Sequence, residues 1–250
     1  MRVSTRMKQM AAAALLAGGL IGTVAAAPAS AAAHGLPSWN QWDGQLVQRA
    51  GTGELARIVG DGRMTFTDRE ELREAGCDGT RVTTLPPRVF DAIPEQPDRL
   101  YAAVTDDVDV DRITPDPQYR QDCHAVYRAD GRGPDEVFNT GFAPWDVEGQ
   151  YDITSYVLQN QPSPFVSTTY RDDLYRAWKS PYYYVLDLPG GVDVNSTIGD
   201  DHKYADQEEV AFPGGIRTEF IVEGCAVDTE TFEIDPDDCV ANPNYVPWRQ

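Results

Sequence analysis

Four polar side chains that lie far apart in the chain are of types that could serve one reaction: Arg128, Ser167, Gln207 and Glu209. An arginine guanidinium is always charged and can bind a phosphate through two parallel hydrogen bonds. Gln207 and Glu209 are two residues apart, and on an extended stretch such residues project to the same side. One pocket would then hold a carboxylate that stabilises positive charge and an amide that recognises a neutral polar edge. Ser167 has no histidine and aspartate partners in a recognisable arrangement, so its hydroxyl is not predicted to be a nucleophile.

Three motifs surround these residues. The first is YRADGRGP at 127–134, continued by VF at 137–138 and GF at 141–142. The second is FVSTT at 165–169, and the third is KYADQEEVAFPGGI at 203–216. In this order, they resemble the Arg, Ser-Thr-Ser and Gln-x-Glu motifs of the pertussis-toxin-like mono-ADP-ribosyltransferases. The third motif is most similar to the scabin and pierisin-like group, whose members modify guanine bases. The second departs mildly from the family pattern, because it reads Ser-Thr-Thr.

The resemblance implies an α+β fold, in which a mixed β-sheet core carries a few short helices. It also implies NAD+ as a co-substrate, no metal, and Arg128, Ser167, Gln207 and Glu209 as the catalytic residues. Breaking the nicotinamide–ribose bond leaves a ribose with oxocarbenium character, which the carboxylate of Glu209 would stabilise. The positions that correspond to the NAD+ site are Arg128, Asp130, Arg132, Asn160, Ser167, Thr168 and Glu209.

The acceptor of the ADP-ribose is predicted to lie on the side of Gln207. An amide suits a purine edge and suits an arginine target poorly, since arginine prefers a carboxylate partner. The expected acceptor-binding residues are Gln207, Tyr204, Lys203, Trp178 and Lys179. A guanine in a nucleoside, a nucleotide or DNA is the leading acceptor. The alternatives are an NAD+ glycohydrolase, a protein-directed transferase toxin, and an inactive secreted binding module that kept the fold.

The net charge bears on the choice of acceptor. Residues 121–250 contain eight basic and 24 acidic residues, which gives this segment a net charge of −16. Such a field repels polyanions and predicts that nucleosides, nucleotides or single strands are better acceptors than duplex DNA.

The first residues read as an export signal. Arg2, Arg6 and Lys8 precede a small and apolar run at 11–27, and Ala-Ser-Ala at 29–31 fits a signal-peptidase site. The predicted organisation is a signal peptide at 1–33, a helical or irregular leader at 34–120 and the catalytic domain at 121–250. The mature protein is expected to be secreted, free of membrane spans and monomeric.

The four cysteines fit an oxidising destination. No CxxC pair is present and the chain has only three histidines, so a zinc site is not expected. Four cysteines allow three pairings. The pairs nearest in sequence, Cys77–Cys123 and Cys225–Cys239, are favoured, but the sequence leaves the other pairings open.

Local patterns predict the elements that position the motif residues. Strands are expected at 124–128, 165–169 and 182–188, with helices at 134–138 and 171–179. A hairpin is expected between 209–212 and 216–222, around Pro213-Gly214-Gly215. In the leader, Thr67 and Glu70 form a predicted capping box that opens a helix running toward Gly76.

Overall fold

The computed structural model describes residues 39–250, which belong to one compact unit. The predicted signal peptide, residues 1–33, lies outside the described residues. No helix within 39–250 is long and apolar enough to cross a membrane.

Two β-sheets carry most of the regular structure. The strands are β1 Leu46–Arg49, β2 Leu55–Val59, β3 Gly62–Phe66, β4 Val82–Leu85, β5 Val126–Asp130, β6 Phe165–Thr169, β7 Tyr182–Leu186, β8 Val192–Asp193, β9 Glu209–Pro213, β10 Ile221–Val227 and β11 Ile234–Ala241. The helices are α1 Arg69–Glu74, α2 Pro87–Phe90, α3 Pro134–Thr140, α4 Ile153–Gln159, α5 Tyr175–Trp178 and α6 Val194–Ile198. Short 3-10 helices occupy Trp39–Trp42, Val110–Arg112, Ala205–Gln207 and Thr218–Phe220.

The larger sheet is antiparallel, with the strand order β11-β10-β7-β5-β6-β9-β8. This sheet with its short helices confirms the predicted α+β class. Strand β6 has the predicted bounds, and its partner β9 places Thr169 opposite Glu209 and Ser167 opposite Ala211. Because β5, β6 and β9 are adjacent, the three motifs come from neighbouring strands.

The predicted hairpin around residues 213–215 is wrong. Strand β9 pairs with β6 and β8, whereas β10 lies near the opposite edge of the sheet, between β7 and β11. Gly214 and Gly215 both have positive φ, and a Cβ on Gly214 would lie 2.4 Å from the carbonyl oxygen of Thr105. The two glycines therefore carry the chain through a close backbone approach instead of reversing it into a tight turn.

The helix predicted at 171–179 is limited to Tyr175–Trp178. Asp172 and Asp173 lie before this single turn, and Lys179 ends it in the left-handed conformation at φ 55°. The helix at 134 starts at Pro134 as predicted and runs to Thr140, where Gly141 ends it at φ 67°.

The sequence predicts a helical or irregular leader, and this expectation is wrong for residues 46–85. These residues form a four-stranded sheet with the order β3-β2-β1-β4, in which only the β1–β4 pair is parallel. Helix α1 is present within the leader, but Asp68 caps it, accepting hydrogen bonds from the backbone N–H groups of Glu70 and Glu71. The predicted cap is therefore displaced by one residue from Thr67.

The leader and the larger sheet share hydrophobic packing. One buried cluster contains Leu46, Phe66 and Leu72 from the leader together with Val126 and Val166 from the larger sheet. The structure pairs Cys77 with Cys123 and Cys225 with Cys239, the pairing that the sequence favours. The first disulfide joins residues on either side of position 120, and a domain boundary at that position stays a prediction.

Candidate active site

A cleft of about 450 Å³ opens on the larger sheet, where β5, β6 and β9 lie side by side. Its volume falls in the range of small-molecule sites. All four predicted catalytic residues line it: Arg128 from β5, Ser167 from β6, Gln207 before β9 and Glu209 at the start of β9. Residues distant in sequence therefore meet in one concave site.

Glu209 is held at the inner wall of this cleft. Its Oε1 accepts a hydrogen bond of 2.8 Å from the phenol of Tyr156, a residue of α4 that is only 8% exposed. Burial raises the pKa of Glu209, whereas hydrogen bonds from Ser167 and Tyr156 and the charge of Arg128 lower it. A carboxylate has about four acceptor positions, so these contacts leave room for a hydroxyl of a bound ribose.

The Arg128 side chain is tied to its own strand and to β6. Its Nε and Nη2 donate to Asp130 Oδ2 at 3.0 and 2.9 Å, and its Nη1 donates to the carbonyl of Ser167 at 2.6 Å. Arg132 also binds Asp130, through Nε and Nη2. Burial opposes ionisation of Asp130, yet the hydrogen bonds from Arg132 and the charge of Arg128 lower its pKa to about 2. Arg128, Arg132 and Asp130 together carry one net positive charge, which suits the binding of an anion.

This geometry refines the predicted role of Asp130, which was expected to contact NAD+. Asp130 is only 8% exposed and its two oxygens accept from both arginines. In this arrangement it orients Arg128 and Arg132 and does not itself line the cleft.

Gln207 lines the cleft, but its backbone conformation differs from the predicted one. The sequence predicts an extended stretch, but Gln207 ends a 3-10 helix and Glu208 takes the left-handed conformation at φ 48°. The kink is held from the end of β6, because the Thr169 hydroxyl donates to the carbonyl of Gln207 at 2.5 Å and Tyr170 N–H donates to that of Glu208 at 3.2 Å. Gln207 and Glu209 thus share the cleft through a local turn, although the i, i+2 rule for strands does not apply to them.

The predicted acceptor-binding residues divide into two sets. Trp178 and Tyr204 line the cleft, and Trp178 is 42% exposed. Lys203 lies on the outer side of Tyr204, with Nζ 2.9 Å from its hydroxyl oxygen. Lys179 does not join them, since its Nζ lies over the ring of Phe232 at 5.1 Å, away from the cleft.

Two residues predicted to bind NAD+ have different surroundings. Asn160 lines the cleft, at the left-handed end of α4. Thr168 is 3% exposed and its hydroxyl donates to the carbonyl of Val210 at 2.9 Å, which makes it part of the sheet interior. The alternation of β6 places Thr168 on the face opposite to Ser167.

Tyr156 and Trp145 are among the cleft residues that sequence reasoning missed. A signal for Tyr156 exists, because Ile153, Tyr156 and Val157 have the i, i+3, i+4 spacing of a buried helix face. A buried phenol on such a face needs a hydrogen-bond partner. Trp145 is 70% exposed in an irregular segment, where no periodic pattern distinguishes it.

Comparison with known proteins gives the site a family. The Scabin-like family model matches residues 126–245, the segment that contains all three motifs. A guanine-specific ADP-ribosyl transferase from Streptomyces coelicolor is 56% identical over 160 residues, which cover 63% of this chain and 78% of that protein. Pierisin from Pieris brassicae is 37% identical over 113 residues, 38% of this chain but only 13% of pierisin.

Solved structures agree with the sequence comparisons. Scabin toxin from Streptomyces scabies in complex with NADH superposes with a TM-score of 0.61 and 60% identity, covering 62% of this chain and 96% of scabin. The likeness therefore extends from the motifs to the sheet that carries them. This chain belongs to the Scabin-like family of ADP-ribosyltransferases.

Proposed function

We propose that the protein cleaves NAD+ and transfers the ADP-ribose to a guanine base, in a nucleoside, a nucleotide or a single strand. The observation that carries the proposal is the meeting of Glu209, Gln207 and Arg128 in one cleft. The guanine-specific relative supports the choice of acceptor. The scabin complex with NADH supports a nicotinamide dinucleotide in the corresponding cleft.

Different residues would bind NAD+ and the acceptor. The pyrophosphate of NAD+ would meet the positive charge of Arg128 in the cleft. Arg132, which does not line the cleft, adds its charge from the other side of Asp130, the residue that orients both arginines. The carboxylate of Glu209 would accept a hydrogen bond from a ribose hydroxyl and stabilise the oxocarbenium character that develops at C1′. Nicotinamide leaves with the electron pair of the C1′–N bond.

The acceptor would approach from the side of Gln207 and Tyr204. The exocyclic amine of guanine attacks C1′ and loses its proton to solvent, while the Gln207 amide pairs with polar atoms of the base edge. The ring of Tyr204 offers a stacking surface, and such stacking contributes about 1–3 kcal/mol per base. In duplex DNA that amine lies in the minor groove and would have to be exposed before reaction. The charge of −16 on residues 121–250 further disfavours the duplex.

The test compares transfer to guanosine, to a guanine-containing single strand and to its duplex at matched guanine concentration. Gln207→Ala should abolish transfer to guanine and leave slow NAD+ hydrolysis, because water still reaches C1′. Gln121→Ala is the matched control, since this exposed amide donates only to the carbonyl of Tyr119 and neither residue lines the cleft.

Two outcomes would count against this division of roles. Equal loss of hydrolysis and transfer in Gln207→Ala would show that Gln207 serves the cleavage step. Preference for the duplex at physiological salt would show that the net charge does not govern acceptor choice.

We also propose that the mature protein is exported and monomeric. The signal-like residues 1–33 and the pairing of all four cysteines support export. N-terminal sequencing of protein from the culture medium should give a start near His34, and an intact Met1 would contradict it. Light scattering on the same sample should give the mass of one chain.

A further inference from the structure

Tyr156 is the direct neighbour of the carboxylate that the proposed mechanism depends on. Its hydroxyl lies 2.8 Å from Oε1 of Glu209, while its ring packs against Phe165 with ring centroids 5.0 Å apart. The residue is 8% exposed and its backbone belongs to α4, so both ends of the contact are supported by regular structure. The phenol therefore holds one oxygen of Glu209 from a fixed point.

The surroundings of Tyr156 also bear on its protonation state. Burial raises the pKa of Tyr156 well above its ordinary value, and the charge of Glu209 raises it further. The hydroxyl therefore stays protonated and acts as a hydrogen-bond donor over the whole working pH range. This excludes Tyr156 as the base that takes a proton during the reaction.

We propose that Tyr156 is a positioning residue that fixes the orientation of the Glu209 carboxylate and favours its ionised form. This inference rests on the proposed function for its effect on catalysis, but the contact itself does not. A hydrogen bond to a charged group is stronger than one between neutral groups. Loss of the phenol should thus change both the geometry and the acidity of Glu209.

The direction of the pH effect follows from the groups that face Glu209. They are Tyr156 from α4, Arg128 from β5 and Ser167 from β6, and each lowers the pKa that burial raises. Removing the Tyr156 hydroxyl takes away one of these three groups, so the pKa of Glu209 rises and its carboxylate ionises at higher pH. Because the ionised form is the active one, the acid limb of the activity profile moves to higher pH.

Tyr151 provides a matched control in the same aromatic cluster. It is 5% exposed and its ring also packs against Phe165, but its hydroxyl donates to the carbonyl of Val147 at 2.7 Å. Tyr151→Phe therefore removes an equally buried hydroxyl that does not touch Glu209. A merely structural role of buried phenols would make the two variants alike.

The kinetic experiment measures NAD+ cleavage by wild type, Tyr156→Phe and Tyr151→Phe from pH 4 to pH 9. For Tyr156→Phe we expect a fall in kcat of about 10- to 100-fold, a nearly unchanged KM for NAD+, and an acid limb at higher pH. Tyr151→Phe should keep the wild-type profile. Equal profiles for the two variants would overturn the proposal.

A second measurement keeps the inference testable apart from the proposed function. The carboxyl carbon of Glu209 can be titrated by NMR in protein with ¹³C-labelled glutamate, and Glu209→Gln identifies its signal. Tyr156→Phe should titrate at higher pH than wild type. An unchanged titration would refute the role of Tyr156 even in an active enzyme, whereas a shifted titration in a protein that does not cleave NAD+ would refute only the proposed function.

Discussion

Each sheet carries an arginine on an inner strand, but the two arginines have different surroundings. In the N-terminal sheet, Arg57 is fully buried, and its Nη1 and Nη2 donate to backbone carbonyls that include those of Gly44, Cys77 and Asp78. In the larger sheet, the side chain of Arg128 keeps 20% of its surface exposed and faces an open cleft. Arg57 binds backbone carbonyls of loops and of the C-terminal residue, whereas Arg128 places its charge at the cleft.

Two acidic residues of the larger sheet region show a similar contrast, one away from the cleft and one at it. Asp187 lies away from the cleft and accepts hydrogen bonds from Tyr245, Trp248 and Arg249, which fixes the C-terminal residues. Glu209 accepts a hydrogen bond from Tyr156 and has a raised pKa at the cleft wall. A buried charge whose neighbours do not satisfy it fully costs stability, and such groups concentrate at functional sites. These contrasts predict that changes at the cleft affect activity, whereas changes away from it affect stability.

The largest effect is expected for Glu209→Gln, which keeps the shape and removes the charge. The rate of NAD+ cleavage should fall on the order of 10²–10³-fold, with NAD+ binding little changed. The variant should also keep or raise its melting temperature at neutral pH. A carboxyl whose folded pKa is raised stabilises the fold only below its unfolded pKa and loses that contribution as the pH rises, so removing the charge relieves a cost.

Initial rates with saturating NAD+ and thermal unfolding at pH 5 and pH 8 measure both parts of this prediction. Glu208→Gln, which changes the exposed neighbouring carboxylate, serves as the control. Retention of most of the cleavage rate in Glu209→Gln would remove Glu209 from the catalytic role.

The disulfide between the two regions should matter more for stability than the one within β10 and β11. Cys77 and Cys123 are 46 residues apart, whereas Cys225 and Cys239 are 14 apart. The chain-entropy model gives about 4 kcal/mol for the first loop and about 3 kcal/mol for the second. Urea unfolding of two variants, each with one cysteine pair changed to alanine, measures which disulfide contributes more to stability. Mass mapping of non-reduced peptides tests the pairing. A peptide that links Cys225 to Cys77 would contradict it.

Arg57→Met is expected to reduce stability less than loss of the Cys77–Cys123 disulfide does. The change leaves the carbonyls of Cys77 and Asp78 without their donor, while the Gly44 carbonyl keeps the backbone N–H of Gln250. The unfolding free energy should fall by about 3 kcal/mol. The specific activity of the folded fraction should stay at the wild-type value. Arg49→Met, which breaks an ion pair with Asp91 at the surface of the same sheet, should have a much smaller effect. Equal losses in both variants would contradict the assigned role of Arg57.

The sequence predicts the larger sheet better than the N-terminal one, for a physical reason. Strand β6 has the expected bounds because Phe165 and Val166 begin an apolar and β-branched run. Strand β2 is buried at every position but carries Arg57 in its centre. The charged residue interrupts the apolar run that would otherwise predict a buried strand. A usable signal was the Gly60-Asp61 pair between β2 and β3, a two-residue loop typical of hairpins.

The sequence also predicts some residues of the candidate site and not others. The motifs place Arg128, Ser167, Gln207 and Glu209 together, and the structure brings them to one cleft. No motif covers Tyr156, because its contact with Glu209 spans 53 residues and depends on how α4 packs against β6. Local sequence patterns do not carry tertiary contacts of this kind.

The most direct test of the central claim is an incubation of the protein with adenine-labelled NAD+, first alone and then with guanosine. We predict release of nicotinamide together with a labelled product whose mass equals guanosine plus ADP-ribose, and neither product with Glu209→Gln above the residual rate. Nicotinamide and free ADP-ribose alone, at the same rate with and without guanosine, would contradict a guanine transferase and indicate a glycohydrolase. No turnover of NAD+ under any condition would contradict the enzymatic account altogether.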